Sequence, residues 1–348
     1  MSFKSLGSAA AALLLAGFSL FPAPAQVPAS GPAVVIGRDN VLKLSPTAAL
    51  SLPGSLTTAL ALSADGSSLV FGDMGGRVGS WDRASGKLSE LVPPQKDFKL
   101  DEDGKPPFLG TLFLAPAADL IVTADAAGKV AVRGRTGSPR YSLPFGATAL
   151  SAALSLDGRL LALGGKGKRL LVVNLKSGEV VADLACDIEY ISVLAFSPDG
   201  TSLLAGFERP LNAMRTWNVS DWTVRATFCH VEDRFDYHDI LFAQDGKTLV
   251  IAGTRNVIEF FDLSERRIVQ SLWGHASAPY QIAFSPDGAL LASAGDDMTL
   301  RLWDARTGAA LSSLRCSGEA HSLAFSPDGA AIAAGIWGAG IQVWTIAE

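Results

Sequence analysis

The stretch Gly274–Asp304, GHASAPYQIAFSPDGALLASAGDDMTLRLWD, decides how the chain is read. Gln281–Phe284 and Leu290–Ser293 are apolar runs too short for helices and are bounded by Gly and Pro, so both read as strands. They are joined by Ser285-Pro286-Asp287-Gly288, in which proline presets φ and glycine accepts the left-handed corner of a tight turn. Thr299–Trp303 then alternates, with Leu300 and Leu302 on one face and Thr299, Arg301 and Trp303 on the other. The result is a small antiparallel unit that needs neighbours to bury its faces.

Neighbours are present along the whole chain. The same turn recurs at Asp65-Gly66, Asp157-Gly158, Asp199-Gly200, Asp245-Gly246, Asp287-Gly288 and Asp328-Gly329. Aligning FLAPAADLIVTAD with ALSADGSSLVFGD adds a degenerate copy at Ala117-Ala118, and the successive spacings are 52, 40, 42, 46, 42 and 41 residues. A near-constant period in this range marks a ring or stack of equal supersecondary units. Each unit closes on an equivalent pair. It is Trp81-Asp82 and Trp303-Asp304 in two copies, and loosened to Trp217-Asn218, Phe261-Asp262 and Trp344-Thr345 in three. Val132-Arg133 and Val173-Asn174 stand at that place in the remaining two.

A Gly-His opener, an SPDG turn, an Asp-x-Thr turn and a closing Trp-Asp, in that order and spacing, resemble one complete WD40 repeat. The chain as a whole resembles the WD40-repeat β-propeller family. That resemblance implies an all-β, seven-bladed propeller with four strands, a to d, in each blade. It also implies a buried hydrogen-bonded tetrad, which maps fully only onto blade six as His275, Ser293, Asp297 and Trp303. The last blade runs only to a third strand, Ile341–Ile346. Ala48-Ala49-Leu50-Ser51-Leu52 resembles the outer strand Ala309–Ser313. The N-terminal segment is therefore expected to supply the outer strand of blade seven and close the ring, leaving no exposed sheet edge. Residues 33–348 form one propeller on this reading, with Ala33–Leu44 left over as an extra hairpin.

The first residues read as a targeting signal. Lys4 precedes an apolar run, Ala9–Phe21, and Ala23-Pro24-Ala25 is a small-residue cleavage site. Residues 1–25 are expected to be a cleaved signal peptide and residues 26–32, QVPASGP, a linker. No Cys lies near the cleavage point to carry a lipid. No later stretch is long and apolar enough to span a bilayer. The expectation is a periplasmic or secreted, bacterial-type protein, monomeric by itself. The net charge of −5 argues against a nucleic-acid partner, which normally meets a basic face. Cys186, Cys229 and Cys316 follow equivalent outer strands on different blades, too far apart for disulfide geometry, and are expected as buried free thiols. No Cys-x-x-Cys-His is present to attach a c-type haem.

In a WD40-type blade the a–b and c–d turns share one face of the disc, and the b–c and d–a loops share the other. The longer irregular segments fall on the second face: residues 93–110, residues 207–214 and residues 229–239. Long loops on a rigid scaffold are where binding concentrates. The partner-binding candidates there are the aromatics Phe108, Phe235, Tyr237, Tyr280 and Trp337, with Arg209, Arg255 and His238. The b–c turns also carry Arg77, Lys129, Lys166, Lys168 and Arg169, and the d–a loops carry acids: Asp97, Asp101, Glu102 and Asp103 in one, and Glu232, Asp233, Asp236 and Asp239 in the other. The two signs either neutralise each other or steer a partner.

Catalytic signals are weak. His230, Asp236, His238 and Asp239 match no metal spacing. Asp101–Gly104 lacks the alternating ligands of a calcium loop. Gly164–Lys168 has no helix after it and reads as a basic hairpin turn rather than a phosphate cradle. Tyr190, His238, Tyr280 and His321 at the inner-strand mouths make no credible metal set. No catalytic residue, metal or cofactor is therefore expected. The favoured function is a non-catalytic exported scaffold that binds a protein or peptide partner in the cell envelope through the b–c/d–a face. Two alternatives stand beside it. One is a propeller hydrolase or lactonase-like enzyme with a metal near the axial channel. The other is an accessory subunit of an exported redox assembly.

Overall fold

The computed structural model describes residues 34–52, 56–63, 66–94, 110–115, 120–124, 128–146, 149–186, 190–207, 213–229 and 236–346. Within them the chain folds into seven four-stranded antiparallel sheets. Six are contiguous in sequence, and the first strand of each touches the first strand of the next blade. The last inner strand, Ala320–Phe325, returns to the first, Thr57–Leu62, so the ring is closed.

The sequence pattern follows from the position of each strand in this ring. Inner strands such as Ile191–Phe196 and Ala320–Phe325 are buried along their whole length, because neighbouring blades cover both faces. They are accordingly continuous apolar runs rather than alternating ones. Outer strands such as Val180–Ala185 and Ala310–Arg315 lie on the rim and are mostly exposed. Leu161, Leu163, Leu203, Ile251 and Leu291, all within 1% of complete burial, belong to one continuous core running through blades two to six.

Blade seven is the exception in connectivity. Its outer strand is Leu44–Ser51, paired antiparallel with Gly340–Ile346 in the register Ala48↔Val343 and Leu50↔Ile341. The expected closure therefore holds: the two ends of the described chain complete one sheet. Gly340, at φ +114, could not carry a side chain here, because a Cβ would lie 2.0 Å from the Leu50 carbonyl oxygen.

Residues 34–43 depart from the expected hairpin. They form a turn and a short 3₁₀ segment, Val41–Lys43, with no strand. Ile36 and Val41 are buried. The Ile36 N–H donates to the Gly329 carbonyl at 2.9 Å, and Arg38 pairs with Asp304 at 2.8 Å. The segment is an N-terminal clasp across blades six and seven, and its Arg38 meets the aspartate of the closing Trp-Asp pair. Two loop boundaries also shift. Tyr237–Asp239 open the inner strand Tyr237–Phe242, and Phe207, Ala213 and Met214 are buried in strands that flank residues 208–212. Burial between blades extends these strands beyond where their polar neighbours suggest. Residues 1–33 lie outside the described residues, as do 95–109 and 230–235. The signal peptide, the linker and most of both long d–a loops fall there. Cys186 and Cys316 are buried free thiols, and burial pushes Cys316 up to about 12.

Candidate functional site

Every inner strand carries the same irregularity. The a–b register slips by one residue near the start of strand a in all seven blades. A bulge of this kind turns one side chain out of the alternation. The residues skipped are Thr58, Leu112, Leu150, Ser192, His238, Tyr280 and His321, one per blade in ring order. In blades five to seven they are rings, and the ring geometry of the propeller places them side by side. His238 stacks on Tyr280 with centroids 4.3 Å apart and planes 5° apart, and Tyr280 stacks on His321 at 4.3 Å and 21°. The indole of Trp337, from the b–c turn of blade seven, meets His321 edge-on at 5.1 Å.

Hydrogen bonds fix this row. His238 Nδ1 donates to the Pro279 carbonyl at 2.9 Å, and its neighbour Asp239 accepts from the Ile282 N–H at 3.1 Å. Both bonds cross from blade five to blade six. Burial depresses His238 to about 4, so its imidazole is neutral at physiological pH. Tyr280 donates its hydroxyl to Asp296, and burial, with that carboxylate beside it, raises the phenol above its ordinary range. His321 Nε2 lies 3.0 Å from Asp296 Oδ1 and 3.7 Å from Glu319 Oε2. Burial opposes charge on His321, but the two carboxylates outweigh it and hold the group above the usual imidazole range. Asp296, Glu319 and His321 thus form a charged corner at the open end of the row.

The tetrad lies just behind this corner. His275 Nδ1 donates to Asp297 Oδ2 at 2.9 Å, and Nε2 accepts from Ser293 Oγ at 2.7 Å. Trp303 Nε1 donates to the same Ser293 oxygen at 2.9 Å. Asp297 also accepts from the Ala276 N–H and from Thr299 Oγ1. Asp296 and Asp297 are adjacent in sequence and serve different ends, one facing the mouth and one inside the blade. Burial lowers His275, which keeps the tetrad imidazole neutral.

Against this geometry the sequence candidates separate. Tyr237 is completely buried, and Tyr280 and His238 nearly so. None of these three offers side-chain area to a partner, because strand a places them between blades. Arg255 is half-buried and Trp337 is 49% exposed. Phe108, Arg209 and Phe235 lie outside the described residues. The set Asp236, His238 and Asp239 does not converge, since His238 and Asp239 each bind a backbone group of blade six. Of the cations, Arg77 is paired with Asp73 and Arg169 with Asp183, each within its own blade. Sequence reading missed Asp296, Glu319, Trp273 and Met298. The available signals were the Asp296-Asp297 doublet, of which the tetrad uses only one, and the two-residue spacing of Glu319 and His321.

The WD domain, G-beta repeat family model matches residues 266–304, the same blade that carries the complete tetrad. The chain carries a WD40 repeat there. Among curated relatives, the chain is 30% identical over 159 residues to "WD repeat-containing protein SL1-17" of Schistosoma mansoni, covering 46% of the chain and 51% of the relative. It is 26% identical over 196 residues to "Protein groucho" of Drosophila melanogaster, covering 54% and 27%. The chain therefore spans about half the length of the first relative and less of the second. No helix among the described residues is long and apolar enough to cross a membrane.

Proposed function

We propose that this protein is a non-catalytic exported scaffold that binds a protein or peptide partner of the cell envelope through its b–c/d–a face. One contrast between the faces carries the reading. On the a–b/c–d face the polar side chains are consumed locally. Ser155, Ser197, Ser285 and Ser326 each donate to the aspartate two residues on, and Asp82, Asp262 and Asp304 cap their own turns. The opposite face exposes indole rings and a thioether at loop ends, Trp273 at 73%, Trp337 at 49% and Met298 at 39%, whereas the exposed apolar groups of the a–b/c–d face are aliphatic: Leu156 in its own turn and Val35 beside the Gly329 turn. Aromatic and Met side chains beside carboxylates are the composition of an interface core with a polar rim. The relatives' character as WD-repeat proteins supports a binding role over catalysis. The export part of the proposal is supported by the sequence of residues 1–25.

Site-specific photocrosslinking in the native cells tests the proposal. A crosslinker at position 273 or 337 is expected to capture a discrete protein partner in the envelope fraction. One at position 159 or 176, on the opposite face, is expected to capture none. Capture from the second pair alone would place the interface on the wrong side of the disc. N-terminal sequencing of the exported protein is expected to start at Gln26, and retention of Met1 would remove the export part.

A further inference from the structure

We propose that Asp296, Glu319 and His321 form a binding site for a divalent transition-metal ion of the Zn²⁺ class, at the mouth of the ring between blades six and seven. The three ligand atoms lie within 4.8 Å of one another and come from a b–c turn, a d–a loop and an inner strand. With metal–ligand bonds of about 2.0–2.2 Å, neighbouring ligand atoms sit about 2.9–3.6 Å apart. The separations of 3.0 Å from His321 Nε2 to Asp296 and 3.7 Å to Glu319 are close to such edges. A rotation of the half-exposed Glu319 closes the rest.

The charges at the site point the same way. Two carboxylates face a single imidazole nitrogen, whose one N–H can serve only one of them. Among the described residues no Lys or Arg pairs with either carboxylate. A divalent ion balances both negative charges and uses the Nε2 lone pair. The surroundings suit that role. The Tyr280 hydroxyl holds Asp296 from outside the site, and the Tyr280 and Trp337 rings set the plane of His321. An outer hydrogen bond to a ligand carboxylate, as from Tyr280 to Asp296, is a general feature of metal sites, whereas His321 Nδ1 has no hydrogen-bond partner among the described residues and its ring is held by packing alone. One imidazole with two carboxylates favours Zn²⁺, Mn²⁺, Fe²⁺ or Co²⁺ over soft Cu(I), which prefers sulfur, and over Ca²⁺, which takes six to eight oxygens. The side chains of Asp296 and Glu319 are 28% and 45% exposed, so the ion would keep a coordination position open to solvent or to a partner's side chain.

The test uses tag-free full-length protein stripped with a chelator. It is titrated with Zn²⁺ alone by calorimetry and with Co²⁺ alone by visible absorption. One ion per chain is expected, with ligand-field bands for Co²⁺. Asp296→Asn and Glu319→Gln are each expected to weaken Zn²⁺ binding at least about tenfold. Glu265→Gln, on the opposite face, should leave it unchanged. Because His321 is a core residue, the two carboxylate variants, whose side chains reach solvent, decide the outcome, with circular dichroism to confirm the fold. Absence of saturable binding tighter than about 1 mM would overturn the proposal. So would binding that both carboxylate variants leave intact, and the corner would then be an ion-paired triad only. Neither result bears on the crosslinking test of the partner face.

Discussion

Blades four and six are built on the same four-stranded frame and are held together by different chemistry. In blade six Trp303 is tied through Ser293 to His275 and Asp297. In blade four Ala205 stands where Ser293 stands, each opposite an arginine of strand c, and the serine link is gone. Trp217 instead meets Phe207 edge-on at 6.3 Å. The Arg215 guanidinium lies 5.7 Å from the Phe207 ring and 5.9 Å from the Trp217 ring. The bulge position differs as well: Ser192 bonds back to its own sheet at Gly206, whereas Tyr280 reaches out to Asp296 and the neighbouring rings. Packing alone suffices to make a blade. In blade six the polar network sits beside a mouth residue, Asp296, whereas blades five and seven place His238 and His321 at the mouth without a tetrad.

The largest expected effect separates the two kinds of glue. His275→Ala removes two buried hydrogen bonds and leaves Asp297 and Ser293 short of a partner, for a loss of about 3 kcal/mol. Arg215→Ala, at a half-buried cation–π site, is expected to cost about 1 kcal/mol. Urea midpoints at unchanged m report both. Equal losses would erase the distinction between the blades.

Acid gives the next contrast. His238 is held neutral at about 4, while in the unfolded chain it titrates near 6.5. The unfolded state therefore binds more protons between these values. The contribution is fully present above pH 6.5 and is lost as the pH falls towards 4, by about 2–3 kcal/mol. His238→Ser, which installs blade four's residue in blade five, should flatten that part of the stability profile. Asp236, Asp296 and His321 surround the group in both proteins, so the difference curve isolates His238. An unchanged slope would show that the imidazole is not what titrates.

The smallest effect concerns the hydroxyl of the stack. Tyr280→Phe keeps the ring between His238 and His321 and deletes the bond to Asp296, for about 1 kcal/mol by thermal or urea unfolding. A loss well above that would mean the hydroxyl, rather than the ring, holds the row together.

The sequence by itself determined the repeat, its seven copies, the tetrad and a closing outer strand, placed at residues 48–52 where the structure has Leu44–Ser51. Each of these rests on local spacing: an Asp-Gly corner, a period-two strand, or a His, Ser, Asp and Trp at fixed separations within one blade. What tertiary structure decided is everything that crosses between blades. Tyr237 and Tyr280 look like loop aromatics in sequence, and become core because adjacent inner strands close over them. Residues 34–43 lack strand pairing and instead dock through Ile36 and Arg38 onto Gly329 and Asp304, far along the chain in blades seven and six. His321 lies 25 residues from Asp296, and His238 a further blade away. Only the stagger of the bulges around the ring brings those side chains into one row. That placement depends on the rotation from blade to blade, which no single repeat encodes.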